Sequence, residues 1–140
     1  CQRVAEAGGV RWFNDSKATK VGATLAALTG IGESIEGKVI LVAGGQGKGQ
    51  DFSPLAEPAR QYLRAALLMG EDRNTVAQGM SAAPCELVAD MAAAVARAHA
   101  LAQPGDAVLL SPACASFDMF SGFAARGDDF TARAREVCHD

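Results

Sequence analysis

Asn14-Asp15-Ser16-Lys17-Ala18-Thr19 brings an amide, a carboxylate, two hydroxyls and an ammonium into one turn, directly after the apolar run Val10-Arg11-Trp12-Phe13. Such a set can hold and orient a polar, anionic ligand. A second cluster, Ser111-Pro112-Ala113-Cys114-Ala115-Ser116-Phe117-Asp118, follows another apolar run. A third loop, Gly44-Gly45-Gln46-Gly47-Lys48-Gly49, has four glycines whose backbone N–H groups can approach an anion closely, with the Lys48 charge beside them. All three stand where an α/β sheet presents its ligand-binding loops, beyond the carboxyl ends of the strands.

Each cluster also has a plain structural use. Asp15, Ser16 and Thr19 are short polar residues of the kind that cap the helix expected after them. One cap suffices, however, and Lys17 near a helix N-terminus is unfavourable by roughly 0.3 to 1 kcal/mol, which points to an anionic ligand. In the glycine loop a Walker motif would need Gly at position 42 and Ser or Thr at 49, where Val42 and Gly49 stand. A dinucleotide pattern started at Gly45 fails at Gln50, so spacing alone also fits a flexible crossover. Cys114 lies between two alanines with His99 and His139 far along the chain, which favours a small buried thiol over a nucleophile. Ser111 and Ser116 also serve as turn and cap hydroxyls. Trp12 reads as core, whereas Phe117 and Phe123 border the polar loop and shape a pocket. No metal-ligand spacing is present.

The elements that position these loops follow from periodicity. Val4 to Ala7, Gly8-Gly9 and Val10 to Asn14 predict a β-hairpin with a two-residue turn. Val21, Leu25 and Leu28 recur at helical spacing up to Gly30, a candidate C-cap. Lys38 to Ala43 is a β-branched run suited to a doubly covered parallel strand. Ser53 as N-cap and Pro54 as first residue open a helix with Leu55, Ala59, Tyr62 and Leu63 on its buried stripe. Strands follow at Ala65 to Met69, at Glu86 to Val88 and at Ala107 to Leu110, with a short helix at Thr75 to Met80 between the first two. Asp90 caps a helix with Met91, Ala94, Val95, Ala98 and Leu101 on one face, stopped by Pro104-Gly105-Asp106. The tail from Ser116 to Val137 reads as helix broken at Gly127 and recapped by Asp128. This alternation predicts an α/β, Rossmann-like three-layer domain whose sheet is mostly parallel, with an antiparallel N-terminal hairpin.

Composition bounds the rest. A chain of 140 residues makes one domain, residues 1–140. Apolar residues at 49% and charged residues at 21% match ordinary globular usage, with no run approaching a membrane span. A net charge of −3 without a basic cluster argues against nucleic acid. Four cysteines, Cys1, Cys85, Cys114 and Cys138, form no C-x-x-C pair, which fits a reducing, cytoplasmic compartment. The start at Cys1, without signal or transit bias, is expected of a fragment.

Taken in order, W-F-N-D-S-K-A-T, A-G-G-Q-G-K-G-Q-D-F-S-P-L and L-L-S-P-A-C-A-S-F-D-M-F-x-x-F-x-x-R-G resemble the C-terminal domain of the MurD family, the UDP-N-acetylmuramoyl-L-alanine:D-glutamate ligases of peptidoglycan synthesis. The resemblance implies an ATP-dependent amide ligase in which an acyl phosphate is displaced by the amine of glutamate. It implies that Thr19, Lys48, Ser116 and the segment from Phe117 to Phe123 hold the two D-glutamate carboxylates. Asp15 would meet the nucleotide ribose, and Lys17 would lie near the transferring phosphoryl group. ATP and Mg would be bound mostly by a central domain that this chain lacks, and UDP-N-acetylmuramoyl-L-alanine by the absent domains. Alone, the chain is then expected to be a monomer without activity. Lys20 stands where the family usually has Asn. From the residues without the resemblance, a free-standing small-molecule or nucleotide-binding α/β module remains open, as does a Cys114-dependent hydrolase.

Overall fold

The computed structural model describes residues 1–116 and 119–139. Strand β1 (Gln2–Ala7) turns through Gly8 and Gly9, whose φ angles of 59° and 79° suit the expected tight turn, into β2 (Val10–Asn14). Then follow helix α1 (Val21–Ser34), β3 (Val39–Gly44), a 3-10 turn at Ser53–Leu55, α2 (Ala56–Tyr62) and β4 (Leu63–Met69). The chain continues with α3 (Arg73–Gly79), β5 (Cys85–Leu87), α4 (Met91–Leu101), β6 (Ala107–Leu110) and α5 (Phe123–His139).

The six strands form one sheet in the order β1-β2-β6-β3-β4-β5, antiparallel only between β1 and β2. Side chains alternate across it as a period of two requires. Along β3, Val39, Leu41 and Ala43 join Leu28 of α1, Leu55 of the turn, Ala59 of α2 and Val76 of α3. Ile40 and Val42 face the other way, against Ala94 and Val95 of α4 and Phe130 and Ala134 of α5. The sheet is therefore the middle of three layers, as expected from its apolar central runs.

Four local expectations are corrected. Helix α1 runs past Gly30 to Ser34, because Ile31 extends the apolar stripe onto the core. Ser53 is not a capping side chain; Asp51 takes that part, its carboxylate accepting from the Ser53 N–H at 3.0 Å. Leu63 begins β4 instead of ending α2. The last helix begins at Phe123, not Ser116, and continues through Gly127 unbroken. A Cβ on Gly127 would stand 2.8 Å from the Asn14 side-chain nitrogen and 3.1 Å from Ser16 Cβ, so the glycine lets α5 lie directly on the loop after β2. Asp90 caps α4 as expected, accepting from the Ala93 N–H at 2.9 Å.

At the opposite edge of the sheet, fully buried Asp106 accepts from the backbone N–H groups of Lys38 and Gln103, both at 2.9 Å, and from Arg64 at 2.7 and 3.0 Å. Burial alone would raise its pKa, but the Arg64 guanidinium and the two N–H donors outweigh that and hold the carboxyl below the usual carboxylate range.

Candidate functional site

Strands β2, β6 and β3 are neighbours and parallel, so the loops that leave their carboxyl ends emerge side by side. Between β6 and β3 the chain order reverses direction across the sheet, the place where α/β folds open a crevice. Here the crevice is laced shut at its base. Gly44 N–H donates to the Pro112 carbonyl at 3.1 Å, and Gln46 and Ala115 exchange two backbone hydrogen bonds of 2.9 Å. Gly45, at φ 132°, has no room for a side chain, since a Cβ would collide with the Ala115 carbonyl oxygen. The glycine loop and the Ser116 loop are thus one structural unit.

Two polar side chains tie the third loop in. Gln50 Nε2 donates to the carbonyls of Gly47 and Ala113, each at 2.9 Å, and more weakly to that of Thr19 at 3.4 Å. Its Oε1 accepts from the Val21 N–H at 2.9 Å, satisfying a free donor at the start of α1. Arg126 of α5 is 1% exposed. It donates to Ser16 Oγ at 2.9 Å, to the Ser16 carbonyl at 2.8 Å and to the Cys114 carbonyl at 2.9 Å. Ser16 Oγ in turn donates to the Phe123 carbonyl at 2.7 Å. Beneath them, Ser111 Oγ lies 3.1 Å from Asp15 Oδ2 and 3.2 Å from Thr24 Oγ1, a buried polar chain that fixes the Asp15 carboxylate.

The sequence-derived candidates fall around two adjoining clefts. Asp15, Lys17 and Phe123 line one of about 250 Å³, with Asn14, Ser16 and Gly127. Thr19, Ser116 and Phe123 line the other, of about 230 Å³, with Ala115 and Ala124. Phe123, 46% exposed, separates the two. Lys48 is in neither wall; it sits exposed at the tip of its loop with φ 53°, two residues beyond the Gln46 pairing with Ala115. Among the described residues neither Lys17 nor Lys48 has an ion-pair partner. Phe117 lies outside the described residues. Cys114 is fully buried, and no disulfide joins any of the four cysteines among the described residues. The arrangement is an open surface with one cation, a carboxylate and hydroxyls around Phe123, and a second cation on the neighbouring loop, suited to an anionic small molecule.

Residues 1–114 match the family model of the Mur ligase glutamate ligase domain. Over all of its 140 residues the chain is 91% identical to the UDP-N-acetylmuramoylalanine--D-glutamate ligase of Alcanivorax borkumensis. The chain belongs to the Mur ligase family, in its glutamate ligase domain. It is 56% identical over 128 residues, 91% of its length, to the ligase of the same name from Chromohalobacter salexigens. It spans 32% and 28% of the lengths of these two relatives. Among solved structures, a murein peptide ligase from Psychrobacter arcticus superposes with a TM-score of 0.67 over 95% of this chain and 29% of its own. At 12% identity that likeness shows the Mur ligase fold alone.

Two residues of this Mur ligase domain were not foreseen as part of the site, Gln50 and Arg126. Both stand inside the motifs that carried the resemblance, yet their partners are up to 63 and 110 positions away in sequence. Only the topology brings those partners near. Among the described residues no helix is long and apolar enough to cross a membrane.

Proposed function

We propose that this chain is the C-terminal, glutamate-binding domain, residues 1–140, of an ATP-dependent amide ligase that joins D-glutamate to UDP-N-acetylmuramoyl-L-alanine in the cytoplasm. The observation that carries the reading is the lacing of three polar loops to one sheet edge, in a chain whose relatives bear that ligase name. Those names favour the ligase over a free-standing binding module. Thr19, Lys48, Ser116, Phe117 and Phe123 would hold the glutamate, Lys48 as a charge on a carboxylate and Thr19 and Ser116 as hydroxyl donors. Phe123 would shield the backbone of the amino acid from water. Asp15, which lines the larger cleft, would accept from the ribose hydroxyls, and Lys17 would neutralise charge near the transferring phosphoryl group.

What these residues contribute is presentation. The glutamate amine attacks an activated acyl carbon, a tetrahedral intermediate forms, and phosphate leaves as the amine loses a proton. Holding the amine in line is worth about 7 to 11 kcal/mol in well-oriented systems. Among the described residues no three His, Cys, Asp or Glu side chains group together, so they form no all-protein cage for a metal ion. Magnesium and most of the ATP would belong to residues outside this chain.

The test uses the Alcanivorax borkumensis ligase with its matching segment exchanged for this chain. In that chimera Lys48→Ala removes one charge-assisted hydrogen bond of about 1.5 to 3 kcal/mol, so kcat/KM for glutamate falls about 10- to 150-fold. The fold survives, since the side chain is exposed. Unaltered glutamate kinetics would take Lys48 out of the site.

A further inference from the structure

We infer that Gln50 is a positioning residue for Lys48, an inference that rests on the reading of Lys48 as a glutamate ligand. Lys48 and Ala113 are the two non-glycine residues with positive φ among those described, at 53° and 61°. Side chains adopt that region at an energetic cost and hold it only where neighbours impose it. The Gln50 carboxamide binds both places at once. Its Nε2 donates at 2.9 Å to the carbonyl of Ala113 itself and at 2.9 Å to the carbonyl of Gly47, which belongs to the peptide group that sets the φ of Lys48.

The same Gly47 residue is gripped on its other side, where its N–H donates to Asp72 Oδ2 at 2.7 Å. Asp72, however, reaches the glycine loop alone, whereas Gln50 spans from that loop to Ala113, Thr19 and the first residue of α1. The Lys48 ammonium has no ion-pair partner among the described residues, so its place relative to Thr19 and Ser116 is set by its backbone, which Asp72 and the Gln50 main-chain N–H hold within the glycine loop and the Gln50 carboxamide ties to the other two loops.

The chemistry of the contact admits few substitutes. One atom must accept from the Val21 N–H while another donates to two carbonyls, which is what a primary carboxamide does. A carboxylate of the same size keeps the first bond and turns the other two into oxygen facing oxygen. Methionine has similar length and makes none of them.

The experiment is a double-mutant cycle in the chimeric ligase described above, with Gln50→Glu and Lys48→Ala, folding of each variant being checked by circular dichroism. Gln50→Glu is expected to raise the glutamate KM about 10- to 100-fold, as displacement of a binding group by an ångström does, while the ATP KM moves less than about 3-fold. In the Lys48→Ala background the same change should add less than about 3-fold, because both act through one ammonium. Gln50→Met reads the same cycle if the glutamate variant does not fold. A folded Gln50 variant with wild-type glutamate KM, or effects of the two substitutions that multiply in full, overturns the role of Gln50. If Lys48→Ala leaves the glutamate KM unchanged, it is the glutamate assignment itself that falls.

Discussion

Arg126→Ala is expected to destabilise the domain by about 3 to 5 kcal/mol, the scale for removing a fully buried, hydrogen-bonded charge. The argument starts from what stays behind. The Ser16 and Cys114 carbonyls would lose donors at 2.8 and 2.9 Å in a place the solvent does not reach. Each buried group left without a partner costs about 1 to 3 kcal/mol, and the emptied volume adds to that. Because Ser16 and Cys114 lie on different loops, the loss also removes one of the ties between the loop after β2 and the loop after β6. Arg126→Lys should recover under half of the loss, since one ammonium cannot reproduce a planar fork that reaches Ser16 and Cys114 together. Urea unfolding of the 140-residue chain measures both variants. A loss below about 1 kcal/mol for the alanine variant would mean that the guanidinium is not the tie described here.

A comparable loss, about 2 to 5 kcal/mol, is expected from Asp106→Ala at the far edge of the sheet. The Lys38 and Gln103 N–H groups would both lose their acceptor, while Arg64, 29% exposed, can turn to water. The pH dependence has a definite sign. The unfolded carboxyl titrates near 3.9 and the folded one lower, so its contribution is complete above about pH 4 and fades as pH falls through the depressed folded value. The stability gap between wild type and variant should therefore be constant from neutral pH down to that point and narrow below it. A gap that stayed the same down to pH 2 would show that the carboxylate charge is not what holds Lys38 and Gln103.

Most of the layered architecture was legible because the determining signals are local. Val39 to Ala43 and Ala107 to Leu110 are continuous apolar runs with turn residues at their ends, and Asp90 precedes its helix as a cap should. Glycine was the unreliable sign. Gly30 and Gly127 carry the marks of helix ends, yet Ile31 beyond the first packs on the core, and the second exists to admit Asn14 and Ser16. Of the candidate residues, Asp15, Lys17, Thr19, Ser116 and Phe123 do gather around two clefts at one edge. The lacing that holds their loops was not legible, because a glutamine or an arginine in a polar loop has many possible partners until the strand order is known. Gln50 and Arg126 became readable only once β6 was seen to lie between β2 and β3.

The reversal at Gly8-Gly9 has a mechanical side. Because β1 runs against β2, Gln2 lies opposite Asn14, and Cys1 and Gln2 form part of the larger cleft's wall. Any segment joined ahead of Cys1, as in the chimera, is therefore anchored at the rim of the cleft and not at the far end of the sheet. A pivot so placed has a short lever arm on the Asp15 and Lys17 side and a longer one toward Lys48, three strands across. Swinging about it would carry Lys48 through a wider arc than Asp15 and Lys17.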